Sequence, residues 1–161
     1  MAIDVGAGAA NYDNVHGANQ TFVDDMNPAN ASGTLDTYET WFNLNGSGVK
    51  FGTFIAGAAN KFTSRDSDTI GNVTSGSKQT FTGKNCDVET NDRIGMFYSG
   101  GQMEHNTSGG TTCYYQSGDK FGAGEVTYNA QSGRKHAMYA TGTEPSSGLP
   151  LFMHYYQKIM R

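Results

Sequence analysis

Apolar side chains recur along this chain at alternate positions in short runs. The run Val49, Phe51, Thr53, Ile55, interleaved with Lys50, Gly52 and Phe54, is the clearest period of two. Just before it, Thr34–Leu44 places Tyr38, Thr40 and Phe42 on one strand face and Glu39 and Trp41 on the other. Asn45-Gly46-Ser47-Gly48 separates the two runs with turn chemistry, so together they predict an antiparallel hairpin. A second and central hairpin is predicted where the apolar run Arg93–Tyr98 reaches Gly100-Gly101 and leaves through Gln102, Met103 and Glu104. Tight turns need positive φ, which glycine adopts without a Cβ penalty.

Further short strands are predicted over residues 3–5, 21–23, 61–65, 78–81, 87–89, 111–115, 125–128 and 135–139. Turn-rich segments at Asn27–Gly33, Gly57–Asn60, Asp66–Asp68, Thr74–Ser77, Asn91-Asp92, Ser117–Asp119 and Gln131–Arg134 punctuate them. No stretch before residue 144 has helical periodicity, and no internal repeat occurs. Short strands with turns at this spacing imply an all-β protein: an antiparallel, jelly-roll-like β-sandwich over residues 1–144.

The texture changes at Glu144. Residues 145–161 read as a linker, Pro145–Pro150, and an apolar C-terminal arm. Leu151, Phe152, Tyr155, Tyr156, Ile159 and Met160 leave that arm few polar positions, so it is expected to form a subunit or particle interface. Phe152, Tyr155, Tyr156 and Ile159 fit one face of a short helix, with Pro150 at its first turn and Lys158 and Arg161 at its end. Tyr and Ile suit equally an extended arm added to a neighbour's sheet edge, and docking on its own domain is the third course.

Composition narrows the function. The 161 residues suffice for a buried core without metal or disulfide support, and the fold is expected to need no metal. Charged residues make up only 16% and glycine numbers 22, so the surface must be largely Asn, Ser, Thr and Gly. Net charge is −4 and the basic residues form no stripe, which argues against nucleic acid. Met1-Ala-Ile-Asp-Val-Gly6 has no signal-peptide pattern and no apolar run is long enough to span a membrane, so synthesis in a cytoplasm is expected.

Candidate chemistry is sparse. Gly6-Ala7-Gly8 after a strand hints at a dinucleotide loop, but Asn11 replaces the third glycine and no helix follows, so no cofactor is implied. His16, His105, His136 and His154 show no ligand spacing, and Glu104 and His105, as strand neighbours, should face apart. Asp66 and Asp68 lack the loop of a calcium site and read as a solvated turn. Cys86 and Cys113 read as separate thiols, with pairing as the alternative. Sequons at Asn19, Asn30, Asn45, Asn72 and Asn106 are expected by chance in such a chain. No motif demands a reaction. Trp41, facing away from Phe42, is the one candidate glycan contact, since an exposed Trp on a sheet can stack on sugar rings.

Four ordered segments carry a resemblance: Asn27–Thr34, Ile70–Phe81, Arg93–Gly101 and Tyr139–Glu144. They resemble those of small, uncharacterised β-sandwich proteins encoded in tailed-phage and environmental viral genomes, near structural genes. The resemblance implies a non-enzymatic virion component, a capsid decoration protein or a head or tail fibre subunit. Its implied partners are other virion proteins and further copies of itself. The arm after Pro145 departs from that group.

Overall fold

A computed structural model describes residues 2–145, and the expected C-terminal arm lies outside the described residues. Twelve strands and no helix occur among them. They are β1 (Ala2–Gly6), β2 (Asn14–Gly17), β3 (Gln20–Asp24), β4 (Gly33–Ala56), β5 (Lys61–Val73), β6 (Lys78–Phe81), β7 (Cys86–Val88), β8 (Arg93–Tyr98), β9 (Gly100–Ser117), β10 (Glu125–Thr127), β11 (Asn129–His136) and β12 (Met138–Thr143). The expected all-β, sandwich-like architecture is the observed one, and every pairing is antiparallel.

β4 holds the two halves together. Its first part pairs with β12, β6 and β7, and β1 closes that half beyond β12. Its second part pairs with β5 and β8, from which the other half continues through β3 and β9 to β11. Ile3, Val5, Leu35, Tyr38 and Met138 from one half meet Phe22, Phe51, Ile94, Met96 and Tyr98 from the other in a single core. Tyr38 stacks on Phe51 at 4.7 Å between ring centroids, tying the two parts of β4 across that core. A second cluster, Val23, Phe54, Phe62 and Tyr128, packs with Tyr114, Phe121 and Val126.

Both predicted hairpins are corrected. Asn45–Gly48 does not reverse the chain: β4 runs through it as one bent strand, and its two parts never pair with each other. Gly100-Gly101 does not join paired strands either, because β3 lies between β8 and the distal part of β9. Instead the two glycine-rich segments touch. Ser99 N–H donates to the Ser47 carbonyl at 2.9 Å, Gly100 pairs with Ser47, and a Cβ on Gly101 would sit 2.5 Å from the Asn45 carbonyl. Close backbone approach, not a tight turn, uses these glycines.

The predicted turn at Asp66–Asp68 is also strand, within β5. Its two carboxylates accept the backbone amides of Asp87 at 2.9 Å and Asn85 at 3.2 Å, anchoring the chain around β7. At β1, Asn30 donates to the Ala2 carbonyl and accepts from Asp4 N–H, while Gly6 N–H donates to the Asn27 carbonyl. The loop after β3 thereby covers an edge that would otherwise be open to another strand.

Candidate functional site

The strands β2, β3, β9 and β11 converge on a sealed polar centre. Asp24 ends β3 and pairs directly with Cys113 of β9. His136 ends β11 opposite His105 of β9. An excursion in β9 makes this possible: β11 pairs Arg134 with Thr111 but the next residue, Lys135, with Asn106, so residues 107–110 bulge out. The bulge shortens the path along β11 between His105, opposite His136, and Cys113, opposite Gln131, so that the Cys113 thiol reaches Arg134. β2 then lays His16 over His105, their rings stacked at 3.8 Å, with the His136 ring edge-on to His16 at 5.0 Å.

Asp24, Cys113 and His136 are each fully buried and His105 nearly so. Asp24 accepts the His136 backbone N–H through Oδ2 and the Met26 N–H through Oδ1, both at 2.8 Å. The Cys113 thiol donates to the Arg134 carbonyl at 3.3 Å. Arg134 also donates from Nη1 to His105 Nε2 at 2.9 Å. A guanidinium can only donate, so Nε2 of His105 carries the lone pair and Nδ1 the proton. That Nδ1, both ring nitrogens of His136 and Nε2 of His16 have no hydrogen-bond partner among the described residues. Each such buried polar atom costs about 1–3 kcal/mol.

Burial dominates the electrostatics. It lifts the Asp24 carboxyl to about 6, against the opposing pull of the amides of His136 and Met26. Burial, reinforced by the charge of Asp24, pushes the Cys113 thiol far above its ordinary range. The histidines move the other way. Burial, His105 and Arg134 bring His16 down to about 3, and burial with Arg134 brings His105 to about 4. His136 lies well below 6.5, first from burial and then from the cationic forms of its neighbours. All three rings are neutral at pH 7.

The ligand atoms of Asp24, Cys113 and His136 all lie within 4.8 Å of one another. Sulfur, imidazole nitrogen and carboxylate oxygen make a transition-metal donor set. A thiol, an imidazole and a carboxylate are also the parts of a nucleophile, base and orienter, but at zero exposure the thiol is closed to a substrate.

Sequence spacing missed this centre, because its members come from four strands and the neighbours are set by pairing. The parity of β11 was the one local signal: Arg134 and His136 lie two apart, hence on one face. His105, as expected, enters the cluster without Glu104. Cys86 and Cys113 are separate free thiols, and Cys86 belongs instead to the main core near Thr53. Trp41 is half-buried on the face of β4 opposite Thr40 and Phe42, beside the Lys78–Glu39 ion pair. Leu151, Phe152, Tyr155, Tyr156, Ile159 and Met160 lie outside the described residues. Compared with family models, with curated proteins and with solved structures, the chain matches none.

Proposed function

We propose that this chain is a non-enzymatic structural component of a virus particle, a capsid decoration protein or a head or tail fibre subunit. The observation that carries its non-enzymatic character is the sealing of the reactive groups: Asp24, Cys113 and His136 have no exposed surface through which to meet a substrate. The viral setting rests on the four ordered segments and their resemblance to small phage-encoded β-sandwich proteins. Its partners are other virion proteins and further copies of itself, contacted through the apolar residues 151–160. The covered edge of β1 fits such a role, since it directs assembly away from indiscriminate strand addition.

A second reading, glycan binding, is favoured by one observation. Trp41 is only half-buried on the outer face of β4, with Glu39, Lys78 and, across on β12, Tyr139 on the same face. An aromatic bordered by a carboxylate and an ammonium suits a sugar ring with its hydroxyls.

Two measurements separate the readings. Deleting residues 146–161 should leave a folded domain that no longer oligomerises or cosediments with particles; normal assembly of the truncated protein rejects the arm as the interface. Glycan-array binding by the full chain, abolished by Trp41→Ala, would replace the structural reading with the second one.

A further inference from the structure

The polar centre has a feature that a merely packed core lacks. His136 is wholly buried, yet neither of its ring nitrogens has a hydrogen-bond partner among the described residues, and its Nδ1 faces Asp24 Oδ2 at 4.0 Å. Cys113 completes the group, with all three ligand atoms inside 4.8 Å. Around a tetrahedral zinc ion, ligand atoms bonded at about 2.0–2.3 Å stand about 3.3–3.8 Å apart. Side-chain rotations that draw the three together by about 1 Å therefore suffice, with the backbone pairing of β3, β9 and β11 unchanged.

We infer that Asp24, Cys113 and His136 form a binding site for a divalent transition-metal ion of the zinc class. The donor set excludes calcium and magnesium, which require oxygen ligands. Charge argues the same way. A thiolate and a carboxylate around a dication sum to zero, a balance that the low-dielectric interior favours over an isolated carboxylate. On binding, the Cys113 thiol gives its proton to solvent and exchanges its hydrogen bond to the Arg134 carbonyl for the metal bond. Asp24 ligates through an oxygen that the His136 amide already orients. The fourth position goes to a water or another small donor. All three ligand side chains are sealed from solvent, so the ion serves the fold and not a substrate, and the site is independent of the viral reading.

The test refolds the full chain from denaturant with a stoichiometric amount of Co2+, so that burial does not block entry. Tetrahedral cobalt bound through sulfur gives a thiolate-to-cobalt charge-transfer band and intense visible bands, which added Zn2+ should abolish. The chain has two cysteines, so the assignment is unambiguous. Cys86→Ala should keep the band through Cys113, and Cys113→Ser should lose it. Zn2+ should raise the melting temperature of the wild-type protein by several degrees, and that of Cys113→Ser far less. Absence of the band from folded wild-type protein, its loss in folded Cys86→Ala, or its persistence in Cys113→Ser would overturn the site. Should Cys113→Ser not fold, the wild-type and Cys86→Ala spectra decide the question alone.

Discussion

Asp24 Oδ2 accepts the backbone N–H of His136 at 2.8 Å across 112 residues of sequence. One buried carboxylate thus pins the end of β11 to the end of β3, and through Oδ1 also fixes the Met26 amide in the loop that follows. Asp24→Ala would orphan the buried His136 amide, at about 1–3 kcal/mol, and the part-buried Met26 amide, at less. Asp24→Asn retains one acceptor oxygen and removes a desolvated charge. The alanine variant should therefore lose about 2–5 kcal/mol in urea unfolding and the asparagine variant clearly less. Equal losses would show that the carboxylate's hydrogen bonds are not what Asp24 contributes.

Gly110 allows β9 to bulge against β11. A Cβ there would overlap the Arg134 carbonyl, the acceptor of the Cys113 thiol. Gly110→Ala should cost about 1–3 kcal/mol by overpacking. It should also move the ring resonances of His105 and His16, which Arg134 and the bulge position. A variant with wild-type stability and unchanged histidine shifts would mean that the bulge relaxes freely.

Acid should weaken the metal-free protein. Histidine titrates near 6.5 when unfolded, whereas folded His105 and His16 titrate at about 4 and about 3, and His136 is held well below 6.5. A depressed folded pKa contributes stability present above pH 6.5 and lost as pH falls from there towards 4. Asp24 opposes this, because its folded value of about 6 exceeds the unfolded 3.8 and folding then takes up a proton between them. Glu104, raised by burial, acts with Asp24; Cys113 stays protonated in this range. Three histidines outweigh two acids. Urea unfolding of chelator-treated protein should show a net loss on the order of 2–4 kcal/mol from pH 7 to pH 5. His16→Gln should flatten that slope, and stability rising over the same interval would refute the balance.

The Tyr128 hydroxyl is buried in the second cluster without a hydrogen-bond partner among the described residues, while its ring packs edge-on against Phe62 at 5.5 Å and Phe54 at 6.3 Å. Tyr128→Phe keeps the ring and deletes an unsatisfied group. It should be neutral or stabilising by up to about 1 kcal/mol in thermal melts. A loss of more than that would reveal a hydrogen bond made by the hydroxyl.

The alternation of Tyr38, Thr40 and Phe42 against Glu39 and Trp41 determined, by itself, that residues 34–44 form a strand with the first set inward. In the next segment the parity holds for Val49, Phe51 and Thr53, which are buried, and fails at Ile55, which is exposed while Phe54 is buried, because the register shifts between Thr53 and Phe54. The absence of helical periodicity determined the all-β class. These properties are local, because strand parity is fixed by the backbone and burial follows side-chain polarity. Partner choice was not legible. Glycine at 46, 48, 100 and 101 frees the backbone but does not decide between reversing the chain and letting two strands cross closely. That decision lies with the core, where Tyr38 and Phe51 must meet and β3 gains partners on both sides by entering between β8 and β9. The same long-range pairing assembled Asp24, Cys113, His136, His105 and His16 into one centre. No spacing rule within a single segment could find it, because the coordinate that joins these residues is the register between strands.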